Sequence, residues 1–336
     1  MTGLEGIVQG ILLAFALVVI LMPPFLQILR RLGFGKRIRE EGPHTHYVKE
    51  GTPTMGGLLI ITVVGGCSLL LDFLSGLSGR RFLDASTAAP LATLVLVGVL
   101  GTADDYLNAR TGDGIRVRQK LLWQAAVAGY AAFQIQQTYD ITHLAVPFIG
   151  AVPIPPIIYV AFAAFAIVAT SNGVNITDGL DGLAGGTLIF SFVGFMIIAA
   201  LNQNPPQTNL AVFCALIIGA LLGFLWFNVH PAQVFMGDSG SLSLGATLAV
   251  TALITGQILL LPLIGIVFVL EVVSDILQIA SYKLTKRRIF RLAPIHHHFE
   301  LGGWDEEKIT MRFWIIGVLA AMLGVVFFAA TQGMLT

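Results

Sequence analysis

The stretch Tyr159-Val-Ala-Phe-Ala-Ala-Phe-Ala-Ile-Val-Ala-Thr170-Ser-Asn172-Gly-Val-Asn175-Ile-Thr-Asp178-Gly-Leu-Asp181-Gly182 decides how this chain reads, because an apolar run ends in four polar residues set three apart. Apolar runs of this kind recur along the whole chain, where 56% of 336 residues are hydrophobic, 11% are charged and the mean hydropathy is +0.84. A helix needs about 20 apolar residues to cross roughly 30 Å of hydrocarbon, and only helices or closed barrels satisfy their backbone in lipid. The composition therefore excludes a soluble globular protein and predicts an all-α polytopic membrane protein. In such a chain each carboxylate at membrane depth costs about 2.5–3.5 kcal/mol unless it faces protein, water or a cation. The polar cluster at 172–182 is accordingly the first candidate site.

Working outward, about ten spans are expected, near 5–29, 55–75, 90–106, 119–136, 156–171, 186–202, 209–227, 242–257, 259–282 and 310–331. No polar stretch between them is long enough for a separate soluble domain, so residues 1–336 read as a single transmembrane domain. The basic residues set the orientation. If odd-numbered spans run inward, Arg30, Arg31, Lys36, Arg37, Arg39 and Lys49 face inside, with Arg110, Arg116, Arg118 and Lys120 in the second inner loop. Lys283, Lys286, Arg287, Arg288, Arg291, Lys308 and Arg312 fall in the last inner loop, which leaves Arg80 and Arg81 outside. The positive-inside rule then places both termini outside and the 172–182 cluster in the cytoplasm. Basic residues follow the first apolar stretch rather than preceding it, which predicts an uncleaved first span and no signal peptide.

Cys67 and Cys214 lie in apolar spans at no ligand or disulfide spacing and read as core fillers. The proline-containing segment 138–155 predicts a short ordered loop or hairpin. The net charge is zero, but the basic inner face suits anionic headgroups and phosphorylated substrates.

The same face collects two more acidic sites. Asp104 and Asp105 close the third span, where adjacent carboxylates repel unless a divalent cation or a shared proton relieves them, or unless they merely end a helix. Asp238, in Val-Phe-Met-Gly-Asp-Ser-Gly-Ser, follows another apolar span. Carboxylate oxygens suit Mg²⁺, and Lys49, Lys120 and Arg118 beside them suit phosphate, so the pattern calls for phosphoryl chemistry. His296, His297 and His298, followed by Glu300, point in different directions on any regular backbone. They fit a phosphate-binding or structural hydrogen-bonding role better than one Zn²⁺. The stretch from Leu301 to Trp314 has the mixed composition of a segment lying in the interface.

Five motifs in order, Pro53-Thr54-Met-Gly-Gly, Asp104-Asp105-Tyr, Asn172-x-x-Asn175-x-x-Asp178-Gly-Leu-Asp181-Gly-Leu, Phe235-Met-Gly-Asp238-Ser-Gly-Ser241 and Ala-Pro-Ile-His296-His297-His298-Phe-Glu300, resemble the phospho-N-acetylmuramoyl-pentapeptide transferase family. The resemblance runs from about Lys49 to Trp314. Its aspartate motifs are shared by the wider superfamily of polyprenyl-phosphate sugar-1-phosphate transferases, and the histidine triplet points to the muramoyl branch. It implies transfer of phospho-MurNAc-pentapeptide from UDP to undecaprenyl phosphate, giving lipid I and UMP for peptidoglycan, in a Mg²⁺-dependent, homodimeric enzyme of the bacterial inner membrane. Membrane lipids would surround it, and no nucleic acid partner is expected. By motif match, Asp238 would ligate Mg²⁺, Asp104 and Asp105 would flank the reacting phosphates with one of them as base, and Lys120 would neutralise phosphate. The histidine triplet would complete the catalytic set. Lys49, Thr54, Asn172, Asn175, Asp178, Asp181, Asn228, Phe235 and Ser241 would bind substrate, with Phe235 stacking on uracil. Covalent attack by a carboxylate and direct attack by the lipid phosphate both stay open.

Asn108 stands where the family often has Lys, with Arg110 as the nearby substitute. Glu271 and Asp275 share a helix face at a repulsive spacing, so that face should border a polar cleft or carry one protonated acid. A secondary transporter would instead need mid-span carboxylates in inverted halves, and an intramembrane aspartyl protease would need facing aspartates. GlcNAc-1-phosphate transfer is the competing reading within the superfamily.

Overall fold

A computed structural model of the protein describes residues 3–35, 51–202 and 206–332, which form helices and one small hairpin. The helices are α1 (Gly3–Leu32), α2 (Gly56–Gly76), α3 (Ala88–Thr111), α4 (Val117–Tyr139), α5 (Pro156–Thr177), α6 (Leu183–Leu201), α7 (Thr208–Asn228) and α8 (Gly237–Ile254). A 3₁₀ turn and the short α9 (Leu261–Ile264) lead into α10 (Ile266–Thr285), followed by α11 (Ile295–Glu300) and α12 (Glu306–Thr331). Strands β1 (His143–Val146) and β2 (Gly150–Pro153) pair antiparallel with His143 opposite Pro153. They form the hairpin expected ahead of the fifth span.

Each of the ten predicted segments is occupied by helix, but they do not all have the character of a membrane span. Among the described residues seven helices are long and apolar enough to cross a membrane, namely α1, α2, α3, α5, α6, α7 and α12. An eighth is reached if the segments 258–264 and 266–285, bent by 79° at Gly265, count as one broken span. The two other long helices, α4 and α8, are more polar.

In α8 the cause is its setting: every residue from Ser239 to Ile254 is buried, with α3 and α5 along its sides and α2 across its start. A helix sheathed in protein need not be greasy. Its hydroxyls are also neutralised locally, since Ser243 Oγ, Thr247 Oγ1 and Thr251 Oγ1 each donate to the carbonyl one turn back, at 2.6, 2.7 and 2.9 Å. Close helix approach in membranes relies on small residues. A Cβ on Gly57 of α2 would collide with the Gly240 backbone, and one on Gly101 of α3 would collide with the Asp238 carbonyl.

This contact sets a test of the packing. Gly101→Ala is expected to push α3 off the start of α8, costing about 1–3 kcal/mol as overpacking does, with a lower melting temperature and reduced activity. An unchanged melting curve would show that the helices are not in this contact.

Cys67 and Cys214 are buried free thiols, as their spacing predicts. The segment 301–314, whose composition suggested a stretch lying in the interface, is for the most part the start of the last helix. There α12 begins at Glu306, and Ile309 and Phe313 are buried against Leu180, Leu183 and Val267.

Candidate active site

Three helix ends meet at the polar start of α8. The last turns of α3 carry Asp104 and Asp105, the first turn of α4 carries Lys120, the last turns of α5 carry Asn172 and Asn175, and α8 opens with Asp238. Asp238 is brought there by a backbone pairing of two sequence motifs. Phe235 N donates to Pro53 O at 2.8 Å, while Gly56 N and Gly57 N donate to Phe235 O and Met236 O at 2.9 Å each. Gly237 turns the chain into α8 with φ +74°, a conformation that favours glycine. A Cβ at this position would also meet Thr54 Oγ1 and Asp105 Oδ2.

The two adjacent aspartates have different partners. Asp105, 7% exposed, accepts the backbone N–H of Asp238 on Oδ1 and that of Ser239 on Oδ2, both at 3.0 Å. It thus caps α8, whose own N-cap Met236 offers no side-chain bond, with a carboxylate where the helix dipole is positive. Asp104 turns toward Lys120, whose Nζ lies 2.7 Å from Asp104 Oδ2 and 2.7 Å from Asp238 Oδ2. The second oxygen of Asp104 accepts the Ile115 N–H at 2.5 Å. Asp238 Oδ1 accepts from Asn175 Nδ2 at 2.8 Å, and the same amide donates to Ser241 Oγ at 2.8 Å.

Two carboxylates therefore converge on one cationic point, flanked by an amide and a hydroxyl. The oxygens of Asp104, Asp238 and Ser241 are the hard ligands that suit Mg²⁺. A second group of possible ligands comprises Asp181, His230 and Glu306, whose ligand atoms lie within 4.8 Å of one another. There one oxygen of each acid is already engaged by backbone: Asp181 Oδ2 accepts the Ala232 N–H at 3.0 Å and Glu306 Oε1 accepts the Asp181 N–H at 2.5 Å.

Other expected site residues sit apart from the carboxylates. Asn172 Nδ2 donates to Gln124 Oε1 and Val168 O, both at 2.8 Å, and so braces α5 against α4. Asn228 accepts the Gly182 N–H at 3.1 Å and donates to Val234 O at 2.8 Å, tying the 178–182 turn to the approach of Phe235. Asp178 caps α5 and is partly exposed, whereas Phe235 is buried, with 9% of its surface free. Lys49 lies outside the described residues. The guanidinium of Arg110 lies over the Phe34 and Tyr106 rings, 5.9 and 5.8 Å from their centroids, so it is held by stacking at the end of α3.

The histidines engage three different partners, as successive imidazoles must. His296 Nδ1 lies 3.0 Å from Glu271 Oε2 with both side chains buried, His297 Nδ1 lies 2.9 Å from Glu300 Oε2, and His298 Nδ1 accepts the Arg291 N–H at 3.1 Å. Glu271 thus has an imidazole partner that its sequence spacing to Asp275 could not reveal. His296 also abuts the 178–182 turn, where a Cβ on Gly179 would collide with its ring. Sequence reading missed Gln124, His230, Glu306, Thr310 and Trp314, each a side chain with a polar atom on a helix or loop with no motif around it. The only signal was that polar groups at span ends in a chain this apolar need partners.

Known proteins resemble this chain along most of its length. The model of glycosyl transferase family 4 matches residues 87–256, and the phospho-N-acetylmuramoyl-pentapeptide-transferase signature 1 matches residues 49–61. A phospho-N-acetylmuramoyl-pentapeptide-transferase of Geobacillus sp. (strain WCH70) is 42% identical over 325 residues, spanning 96% of this chain and 97% of the relative. The protein of the same name in Chloroflexus aurantiacus (strain ATCC 29366 / DSM 635 / J-10-fl) is 46% identical over 93% of this chain and 86% of its own length. That of Desulfosudis oleivorans is 44% identical over 94% and 90%.

Proposed function

Because the chain belongs to the phospho-N-acetylmuramoyl-pentapeptide-transferase family, we propose that it moves phospho-MurNAc-pentapeptide from UDP to undecaprenyl phosphate, giving lipid I and UMP. The observation that carries this reading is the meeting of Asp104, Lys120 and Asp238 at the capped start of α8. Two anionic reactants must be brought together, so the barrier falls mainly through positioning and through cations that neutralise the diphosphate.

The residues divide the work. Asp105 has both oxygens engaged by the amides of α8 and holds Asp238 in place. Asp104, whose oxygens meet Lys120 and the Ile115 N–H rather than the α8 amides, is assigned the role of base toward the lipid phosphate at the reacting centre. Lys120 supplies a fixed positive charge between the two acids and can turn toward the diphosphate when substrate arrives. Asp238, with Asp104 across from it, would hold Mg²⁺, which supplies charge neutralisation at the diphosphate and helps UMP to leave. Asn175 and Ser241 orient Asp238. The 178–182 turn, Asn228 and Phe235 would receive the nucleoside, and the histidine triplet would brace the inner loop beside them.

The chain is read as one transmembrane domain with both termini outside and this site opening to the cytoplasm at the inner membrane. The distribution of lysine and arginine supports that orientation.

Purified protein in detergent with undecaprenyl phosphate and Mg²⁺ is expected to release UMP from UDP-MurNAc-pentapeptide and not from UDP-GlcNAc. Ready use of UDP-GlcNAc alone would move the chain to the sister branch of the superfamily. Release of UMP from neither would end the reading.

A further inference from the structure

The turn between α5 and α6 is gripped by three residues of α12 that no motif announces. Glu306, Thr310 and Trp314 are spaced four apart and therefore line one face of the helix. Each addresses a different backbone group of two consecutive residues. Glu306 Oε1 accepts the Asp181 N–H at 2.5 Å, Thr310 Oγ1 donates to Asp181 O at 3.1 Å, and Trp314 Nε1 donates to Gly182 O at 3.2 Å. Asn228 Oδ1 takes the remaining group, the Gly182 N–H, at 3.1 Å. The backbone N–H and C=O of both residues are thus all bound by side chains from elements distant in sequence.

The fit is close as well as polar. A Cβ on Gly182 would touch Trp314 and Thr310, and one on Gly186 would run into the Trp314 indole. Asp181, 3% exposed, completes the hub: its Oδ2 accepts the Ala232 N–H and lies 3.0 Å from His230 Nδ1. His230 stands in turn 3.6 Å from Glu306 Oε2 and 3.4 Å from Glu307 Oε1. A turn is normally the most mobile kind of segment, and one whose last two residues have every backbone group bound by side chains is held in place.

We infer that the Glu306–Thr310–Trp314 face of the last helix is a positioning device that holds the Asp178–Gly182 turn in the shape that binds the uridine nucleotide. The inference rests on the reading of that turn as part of the nucleotide pocket. These residues act through the turn and are set apart from the carboxylates that handle the phosphates. Their loss should therefore weaken nucleotide binding and leave the cation requirement alone.

The test uses the full-length protein in detergent, with UMP as the probe. Glu306→Leu removes the acceptor and leaves a buried N–H unpaired, while Glu306→Gln keeps an amide oxygen that can take its place. Thr310→Val keeps the shape of its residue and removes only the hydroxyl, which covers the case in which Glu306→Leu fails to fold.

For Glu306→Leu and Thr310→Val, hydrogen exchange across residues 178–183 should speed up by about tenfold and UMP should bind about tenfold more weakly, the scale of one unsatisfied buried group. KM for the nucleotide substrate should rise with it, while kcat and the Mg²⁺ dependence stay near wild type. Glu306→Gln should restore most of the binding. Unchanged exchange in both variants would overturn the clamp itself. Faster exchange with unchanged UMP affinity would also overturn the inference and would locate the fault in the assignment of this turn to the nucleotide.

Discussion

Asp238→Asn is expected to leave a folded protein whose turnover has fallen by about a thousandfold. Removing a single group that stabilises charge in a transition state already costs roughly 10²–10³, and this carboxylate has several partners at once. Its Oδ2 receives Lys120 and its Oδ1 receives Asn175. An asparagine has one acceptor where both positions need one, so either orientation of the amide sets an NH₂ group against another donor. The charge that a divalent cation would seek is gone as well, since a neutral amide is a poor ligand for Mg²⁺. UMP release measured against Mg²⁺ concentration, with a thermal melt beside it, checks the expectation. Activity within threefold of wild type at ordinary Mg²⁺ would remove Asp238 from the site.

The second large effect belongs to Asp105, for a different reason. Asp105→Asn keeps one oxygen for one of the two α8 amides and turns an NH₂ toward the other. The buried donor left unpaired costs about 1–3 kcal/mol, and the first turn of α8 moves away from α3. Turnover should fall by roughly a hundredfold through misplacement of Asp238, since small displacements of catalytic groups have effects of that size. The distinguishing feature is a lowered melting temperature together with the lost activity, because Asp105 is buried, whereas the Asp238 side chain is 24% exposed and water can serve its displaced donor, so Asp238→Asn loses activity with less change in stability. Normal turnover with an unchanged melt would refute the cap.

Much of this molecule could be read from its sequence because lipid enforces simple rules. Apolar runs had to be helices, and the helix positions followed from run length alone, as α1, α2 and α5 to α7 show. What composition could not separate was a helix facing lipid from one enclosed by others. The serines, threonines and glycines of α8 look unsuited to a membrane until α2, α3 and α5 are seen to surround it. The candidate site was legible as a set of residues and not as a set of partnerships. Asp104 and Asp105 are neighbours of identical chemistry, and only the approach of α8 assigns one to its amides and the other to Lys120. Likewise His296 and Glu271 lie 25 residues apart in sequence, so their pairing required the fold of the segment between α10 and α11. The grip of α12 on the Asp181–Gly182 turn was hidden altogether, because its bonds go to backbone groups that leave no trace in residue type.

The glycine contacts around α8 bear on how readily the protein could escape an inhibitor. Gly57 meets the Gly240 backbone and Gly101 meets the Asp238 carbonyl with no room for a methyl group, and these contacts lie beside the carboxylates proposed to act at the phosphates. A compound bound at the neighbouring carboxylates would rest on a buried helix contact whose glycines tolerate no side chain. Resistance by substitution would have to arise elsewhere, in side chains at the rim of the site. Compounds that leave the rim untouched would give such mutations nothing to act on.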